Sequence, residues 1–489
     1  MLFNSHLFIF IFLPLAILCH DLVSKKPKLR QLTLLLSSLI FYFYWSAQHG
    51  LLLLFSLIIN YFIGEWLLNK KKRHDSLRTP LTVGLIFNLG LLGLFKYTDF
   101  LFNNLGFLFH FNHEDLNWIL PLGISFYTFQ QISYLLDIQA GFIKERTFLT
   151  YMTYVSFFPQ LIAGPIVRYT DVFKPLTQTW GSQNDWTKRC QGLFIFSIGL
   201  SKKLIIADSI APYVDQIHTA VNHGHQPAFF EAWFVTLAYP LQLYFDFSGY
   251  SDMAYGLALM FGITITQNFN APFKAKNMSD FWQRWHISLS QCFQRYLFNP
   301  LAMSLRHSTN IWLKQIFPFL FTMTLIGFWH GAGWTYIIWG CCHGIFLAIA
   351  YLWKMSHRKL PSPLSWSITF ISILLVFIWF RASTVESALT FFKSLIGMNG
   401  IVFPSAFNLG ESSWYTSSYY LLPALEGTST ALAISTISLV WGIAFFTPNS
   451  IDLGKKFNLS KKYFLLTVSL LFISCLKINE VSVFLYYQF

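Results

Sequence analysis

Long apolar runs alternate with short polar links along nearly all of this 489-residue chain. A helix needs about 20 apolar residues to cross a hydrocarbon core of about 30 Å. Eleven stretches meet or approach that pattern: 2–19, 31–46, 51–68, 81–96, 118–136, 191–206, 230–245, 335–353, 364–380, 430–446 and 463–476. Four more, 100–111, 151–167, 254–264 and 316–329, are too short or too interrupted to cross cleanly. Broken backbone survives at membrane depth only when it is buried in protein or lines a wet cavity. These four stretches are therefore where a site is expected. The pattern predicts an all-α polytopic protein of about 11–14 transmembrane and re-entrant helices. The first stretch lacks a basic leader and a small-residue cleavage site, so it reads as a retained helix and not as a removed signal peptide.

The links carry the topology. Basic residues cluster at Lys25-Lys26, at Lys70 to Arg73, at Lys144 with Arg146, at Lys274 with Lys276, at Lys354 with Arg358-Lys359, and at Lys455-Lys456 with Lys461-Lys462. Such clusters mark cytosolic loops. The links 47–50 and 113–115, and the long stretch 383–427 with Glu386, Glu411 and Glu426 against only Lys393, are expected outside. Both termini then fall outside the cytoplasm. Because 270–310 and 354–359 both read as cytosolic, the chain between them must enter and return. It is expected to turn at Gly331-Ala332-Gly333, at membrane depth, with His330 at the bottom of a cavity. No soluble domain, low-complexity tract or internal repeat stands out, so 1–489 reads as a single membrane domain.

Composition agrees. Hydrophobic residues make up 54% and charged residues 11%, against roughly 25% charged in soluble domains. Mean hydropathy is +0.48. The net charge of +13 would suit nucleic acid, but the basic residues lie in short clusters between apolar segments, so the bilayer is the partner indicated. Six cysteines without a Cys-x-x-Cys pair indicate neither zinc nor a disulfide framework.

Two histidine blocks carry the candidate chemistry. In 327–334, His330 sits inside an apolar run, flanked by Gly327, Gly331 and Gly333 and by Trp329 and Trp334, which would wall a pocket. An intramembrane ionisable residue is a functional candidate by default; the alternative is a histidine hydrogen-bonded between helices. In 279–290, Trp282, Trp285, His286 and Leu289 would share one face of a helix, with Asp280 near its start. That helix would form a cavity floor or lie along the cytosolic interface with His286 snorkelling. Together the two histidines suggest acyl transfer. A neutral imidazole removes the proton of an acceptor hydroxyl, which then attacks a thioester with no metal or bound cofactor. The second histidine, or an asparagine or tryptophan N–H, would steady the oxyanion. Asp246 and Asp252 would pair or line a cavity, hold a helix break near Gly249, or orient an arginine such as Arg284. His343 reads as a packed polar residue, and Arg168 as a contact for an anionic carrier or a lipid headgroup. The loop cluster His218, His223 and His225 would bind metal or do nothing specific.

Further segments carry a resemblance: Pro121-Leu122-Gly123-Ile124-Ser125-Phe126 onward to Gln130, Phe157-Phe158-Pro159-Gln160 onward to Arg168, 199–203 and 244–254, followed in order by the two histidine blocks. With these the chain resembles the membrane-bound O-acyltransferase superfamily, in its alginate O-acetyltransferase-like branch, which is related to the D-alanyl-lipoteichoic acid acyltransferases. The resemblance implies a funnel-like ring of helices around a thin central floor. It implies His330 as the catalytic histidine and His286 as the second, more cytosolic one. It implies an acyl group carried as a cytosolic thioester (acetyl-CoA or an acyl carrier), an extracytoplasmic partner protein that completes transfer to a glycan, and a bacterial inner membrane. The ending 484–489 is similar to the family's aromatic-x-Tyr-x-x-Phe tail. Tyr486 there is an acyl-shuttle candidate, or else an interfacial anchor. The chain departs from the family where a tryptophan, Arg-Asp-Tyr and Ile-Pro-Leu-Gly-Gly are usual. Here stand Cys292, Gln294-Arg295-Tyr296 and Asn299-Pro300-Leu301-Ala302-Met303, which bears on the donor. The reading is an O-acetyltransferase for an extracytoplasmic polysaccharide. D-alanyl or other acyl transfer, a transporter or flippase, and an inactive scaffold are the alternatives.

Overall fold

The structure, a computed structural model of the chain, describes residues 1–111, 113–180, 183–401, 429–478 and 484–485. Among these, every regular element is helical. A π turn at Phe8–Phe12 leads into α1 (Leu13–Leu22), followed by α2 (Pro27–Phe43), α3 (Ala47–Lys72), α4 (Arg78–Lys96) and α5 (Thr98–Phe109). Next come α6 (Ile124–Ala140), the short α7 (Phe148–Ser156), α8 (Phe158–Leu161) and α9 (Tyr169–Thr177), then α10 (Gln183–Ser201), α11 (Asp208–Asn222) and α12 (Phe229–Met260). A broken region holds α13 (Met278–Trp282), α14 (Ile287–Phe293) and α15 (Asn299–Ser304); α16 (Phe317–His330), α17 (Trp334–Met355), α18 (Ser362–Arg381) and α19 (Val385–Leu395) follow. The chain ends with α20 (Ser429–Phe446), α21 (Ser450–Lys455) and α22 (Lys461–Leu476). Local signals explain the boundaries. Pro27 opens α2. The Ser46 side chain accepts the His49 N–H at the start of α3, and three lysines sit in its last turn.

Among the described residues, four helices are long and apolar enough to cross a membrane: α3, α4, α17 and α18. Exposed Phe62, Ile86, Ile349 and Ile371 stand on them, as a lipid-facing surface requires. Eleven clear crossings were expected. The difference has a physical source: a helix enclosed by other helices need be neither long nor apolar all round. α12 is the clearest case. It runs 32 residues without a break, is buried over nearly its whole length and carries Glu231, Asp246 and Asp252. The expected interruption over 254–264 is therefore corrected. The helix continues to Met260, and Gly249 does not break it.

The glycines of α12 serve packing instead. A Cβ on Gly199 of α10 would stand 2.5 Å from the Gly249 carbonyl oxygen, and one on Gly192 would stand 2.5 Å from that of Gly256. Each helix thus presents two glycines seven residues apart, on one face, and the antiparallel backbones meet at both. α16 and α17 form a tight hairpin by the same means. Gly327 lies against Gly340, and a Cβ on Gly344 would stand 2.8 Å from the Leu320 Cα.

The stretch 118–136 also differs from expectation, since α6 begins only at Ile124. Gly123 holds a left-handed φ of +74°, and a Cβ there would meet the Leu161 carbonyl oxygen at 2.7 Å, so the chain turns there. The break expected within 151–167 is present as α7, α8 and an extended link. The loop 383–427 is described only to residue 401, where it contains α19.

Replacing Gly199 by leucine should force α10 and α12 apart at a cost of about 1–3 kcal/mol or more. Gly442, which has nothing within 4 Å of a Cβ, gives the control. Gly199→Leu is expected to melt well below wild type in detergent and Gly442→Leu close to it, followed by thermal size-exclusion of the intact protein.

Candidate active site

The turn 331–333 follows α16 directly, so His330 is the last residue of that helix and is buried. Its ring lies 5.0 Å from Trp329, 5.1 Å from Trp339 and 5.1 Å from Phe380.

His286 is placed differently from the single helix expected over 279–290. Asn277 caps α13 by accepting the Asp280 N–H at 2.9 Å, α13 stops at Trp282, and His286 takes a left-handed φ of +44° before α14. Two backbone bonds tie this kink to the link after α12: Asn270 N to Arg284 O and Ile287 N to Asn268 O, both 2.9 Å. Asn268 is the hub. Its Oδ1 accepts the Ser288 N–H at 3.2 Å and the Ser288 hydroxyl at 2.9 Å, and faces His286 Nδ1 at 3.1 Å. Its Nδ2 donates to Ser251 Oγ at 3.2 Å. A backbone N–H can only donate, so the atom facing it is the amide oxygen. His286 Nδ1, facing the same oxygen, must carry the proton, which leaves Nε2 as the basic nitrogen. Strain in a non-glycine left-handed residue persists only where the surroundings enforce it, and this network does so.

The His286 and His330 rings lie 6.5 Å apart. Trp282, Trp285 and Trp329 are all buried. Trp329 lies 6.4 Å from His286, and Trp282 donates its indole N–H to His343 Nδ1 at 3.3 Å. Trp334 is not brought to this centre. It is exposed and donates to Asn104 Oδ1 at 2.9 Å, because the turn carries it past the hairpin tip. Asp246, Asp252 and Arg284 also hold other posts. Asp246 pairs with Lys203 at 2.5 Å and Asp252 with Lys202 at 2.7 Å, closing α12 onto the π turn after α10. Arg284 pairs with Asp280 at 2.6 Å. A buried carboxylate requires a cation at hand, and adjacent lysines on a packed neighbour supply both. His218 is buried against Phe391 at 4.6 Å, whereas His223 and His225 are exposed. Tyr486 lies outside the described residues.

Two cavities approach the histidines. The first, about 40 Å³, is lined by His330, Trp329, Lys96, Ile162 and the turn from Leu120 to Phe126. The second, about 420 Å³, is lined by Ser288, Gln291, Cys292, Arg295, Arg168, Ile166 and Ser133 among others. Along α6, Phe126 lines the first and Ser133 the second, a separation of about 10 Å at 1.5 Å per residue. His330 lines the first cavity, and His286 is tied through Asn268 to Ser288, which lines the second. In the second, Arg168 pairs with Asp171 at 2.9 Å and Arg295 with Asp137 at 3.4 Å, a carboxylate that also accepts the Tyr296 hydroxyl at 2.9 Å.

Sequence reasoning missed Asn268, Trp339 and Lys96. A polar run, Gln267-Asn268-Phe269-Asn270, directly after a long apolar helix was the available signal for the first. Lys96 ends an apolar segment as any interfacial lysine would, so nothing set it apart.

The protein belongs to the membrane-bound O-acyltransferase family, whose match covers residues 139–394; it is an acyltransferase. It is 41% identical over 433 residues to a peptidoglycan O-acetyltransferase of Helicobacter pylori, covering 82% of this chain and 81% of that protein. It is 36% identical over 401 residues to a probable alginate O-acetylase of Pseudomonas aeruginosa, covering 81% and 75%. A teichoic acid D-alanyltransferase of Bacillus subtilis is 32% identical over 276 residues, covering 54% and 68%.

Asn268→Leu would leave the Ser288 N–H and His286 Nδ1 buried without their acceptor, at about 1–3 kcal/mol each. The variant is expected to lose several degrees of melting temperature in detergent, while Gln267→Leu, whose amide donates to the Phe269 carbonyl alone among the described residues, should lose less.

Proposed function

We propose that the protein moves an acetyl group from a cytosolic thioester to the opposite side of the membrane, for O-acetylation of an extracytoplasmic polysaccharide. The carrying observation is the pair of buried histidines, 6.5 Å apart, with His330 lining the smaller cavity and His286 tied through Asn268 to Ser288 on the wider one. Acetyl transfer is the activity named for two of the relatives. His330 acts as general base: it takes the proton of an acceptor hydroxyl, the oxygen attacks the thioester carbonyl, the C–S bond breaks, and the thiolate leaves with a proton returned to it. His286 assists from the donor half, its orientation fixed through Asn268. The wider cavity, rimmed by Arg168 and Arg295, takes the phosphorylated carrier, acetyl-CoA or an acyl carrier. It faces the cytosolic side by the distribution of basic loops.

On this reading both termini face away from the cytosol in a bacterial inner membrane. Tyr486 accepts the acyl group at the outer mouth, and an extracytoplasmic partner that docks on 383–427 passes it to the glycan. D-alanyl transfer is the second reading, favoured by the teichoic acid relative and separable by donor dependence.

The test is the O-acetyl content of surface glycans in a deletion strain complemented with wild type or with His330→Ala, with membrane expression of both checked. Rescue by wild type and at least a 100-fold deficit for the variant are expected, the scale of losing a general base. Full acetylation with His330→Ala would move the protein to a transport or scaffold role. The Tyr486 step predicts an acetyl mass shift on the C-terminal peptide during turnover. Its absence in partner-free membranes supplied with donor would remove the shuttle.

A further inference from the structure

The last four carbonyls of a helix have no partner within it. At a surface water takes them; inside a bilayer the protein must. α16 ends in the membrane protein's interior, and its last residue is His330. The Gly327 carbonyl accepts the Gly331 N–H at a long 3.4 Å. The next three are closed by two adjacent residues at the end of α4: the Phe328 oxygen accepts the Tyr97 hydroxyl at 2.9 Å, and the Trp329 and His330 oxygens accept Lys96 Nζ at 2.6 and 2.8 Å. The Tyr97 ring also stacks on Phe328 at 4.2 Å and 18°.

Lys96 has no carboxylate ion-pair partner among the described residues. A cation in such surroundings without an anion is costly. Here the negative end of the α16 dipole, with its exposed carbonyls, takes the anion's place. α4 packs chiefly on α3 and α6, and these two side chains tie its end to α16. Lys96 also lines the small cavity beside His330.

We propose that Lys96 and Tyr97 are positioning residues for acyl transfer, closing the C-terminal end of α16 so that the His330 imidazole is held at the cavity wall. This rests on His330 as the base. Without the closure the last turn of α16 frays. The ring borne on that turn loses its place, and misplacement by about 1 Å costs up to roughly 100-fold in rate.

The experiment compares full-length wild type, Lys96→Met, Lys96→Arg, Tyr97→Phe and His330→Ala in inverted membrane vesicles, with labelled acetyl-CoA as the donor probe. Hydrogen–deuterium exchange of the peptide across the α16–α17 turn is measured in parallel. Lys96→Met is expected to lower kcat roughly 10- to 100-fold with KM changed by no more than about twofold, the split of an interaction that acts in the transition state. Lys96→Arg, which still donates to carbonyls, should recover most of the loss. Tyr97→Phe, which removes one hydroxyl from a ring that keeps its stacking, should show a smaller drop. Exchange at the turn should rise in Lys96→Met and in Tyr97→Phe and nowhere else. Wild-type exchange in both variants overturns the closure whatever the activity. Wild-type kcat in Lys96→Met beside an inactive His330→Ala overturns the positioning role alone. An active His330→Ala overturns the underlying assignment of the base. If Lys96→Met fails to accumulate, Tyr97→Phe decides the question by the same two readouts.

Discussion

Inside a bilayer no water is present to take up a hydrogen bond the protein leaves over. Much of this structure follows from that constraint. Arg30, almost wholly buried, gives its guanidinium to His20 and to the carbonyls of Pro175, Gln178 and Phe261, fastening the ends of α9 and α12 to α2. Asn60, Asn88 and Gln131 share their amides between α3, α4 and α6. The same demand shapes the centre. His286 can occupy a left-handed backbone position in a buried kink because Asn268 meets its Nδ1 and the following turn together. A base whose orienting hydrogen bond is already made to the scaffold, as His286 Nδ1 is to Asn268, needs little reorganisation when charge develops, which is the condition for electrostatic catalysis.

The second constraint is proximity. Glycine pairs let α10 meet α12, and α16 meet α17, backbone to backbone. Lipid supplies little hydrophobic drive for helices to associate, so close van der Waals contact and interhelical hydrogen bonds must supply it. The α16–α17 hairpin turns within three residues, so His330 ends a rigid rod. α13 packs on α17, and the kink after it brings the His286 ring to 6.5 Å from that of His330. The outer helices present apolar faces to lipid, while the enclosed α12 carries paired carboxylates in mid-helix, and the two populations obey different sequence rules.

That division explains what could be read in advance. The lipid-facing helices α3, α4, α17 and α18 were legible because their length and apolarity are set by the bilayer. α12 was not read whole, because enclosed by protein it tolerates Asp246 and Asp252, which in sequence look like interruptions. Trp334 and Trp329 looked equivalent on either side of one turn. One is buried beside both histidines and the other is exposed, since a helix end sends successive side chains in different directions. Lys96 gave no distinct local signal because its partners, the Trp329 and His330 carbonyls, lie 233 and 234 residues away, whereas Asn268 meets His286 and Ser288, 18 and 20 residues on, only once the chain kinks.

The sequence by itself determined the class of the protein, its helical membrane architecture, the turn at His330 and the family, because all of these rest on local composition and on motifs contiguous in the chain. The tertiary structure decided which polar residues meet: His286 with Asn268, Asp246 with Lys203, Lys96 with the end of α16. Those pairings depend on helices distant in sequence packing face to face, and hydrophobic periodicity specifies that a face is buried without specifying what it is buried against.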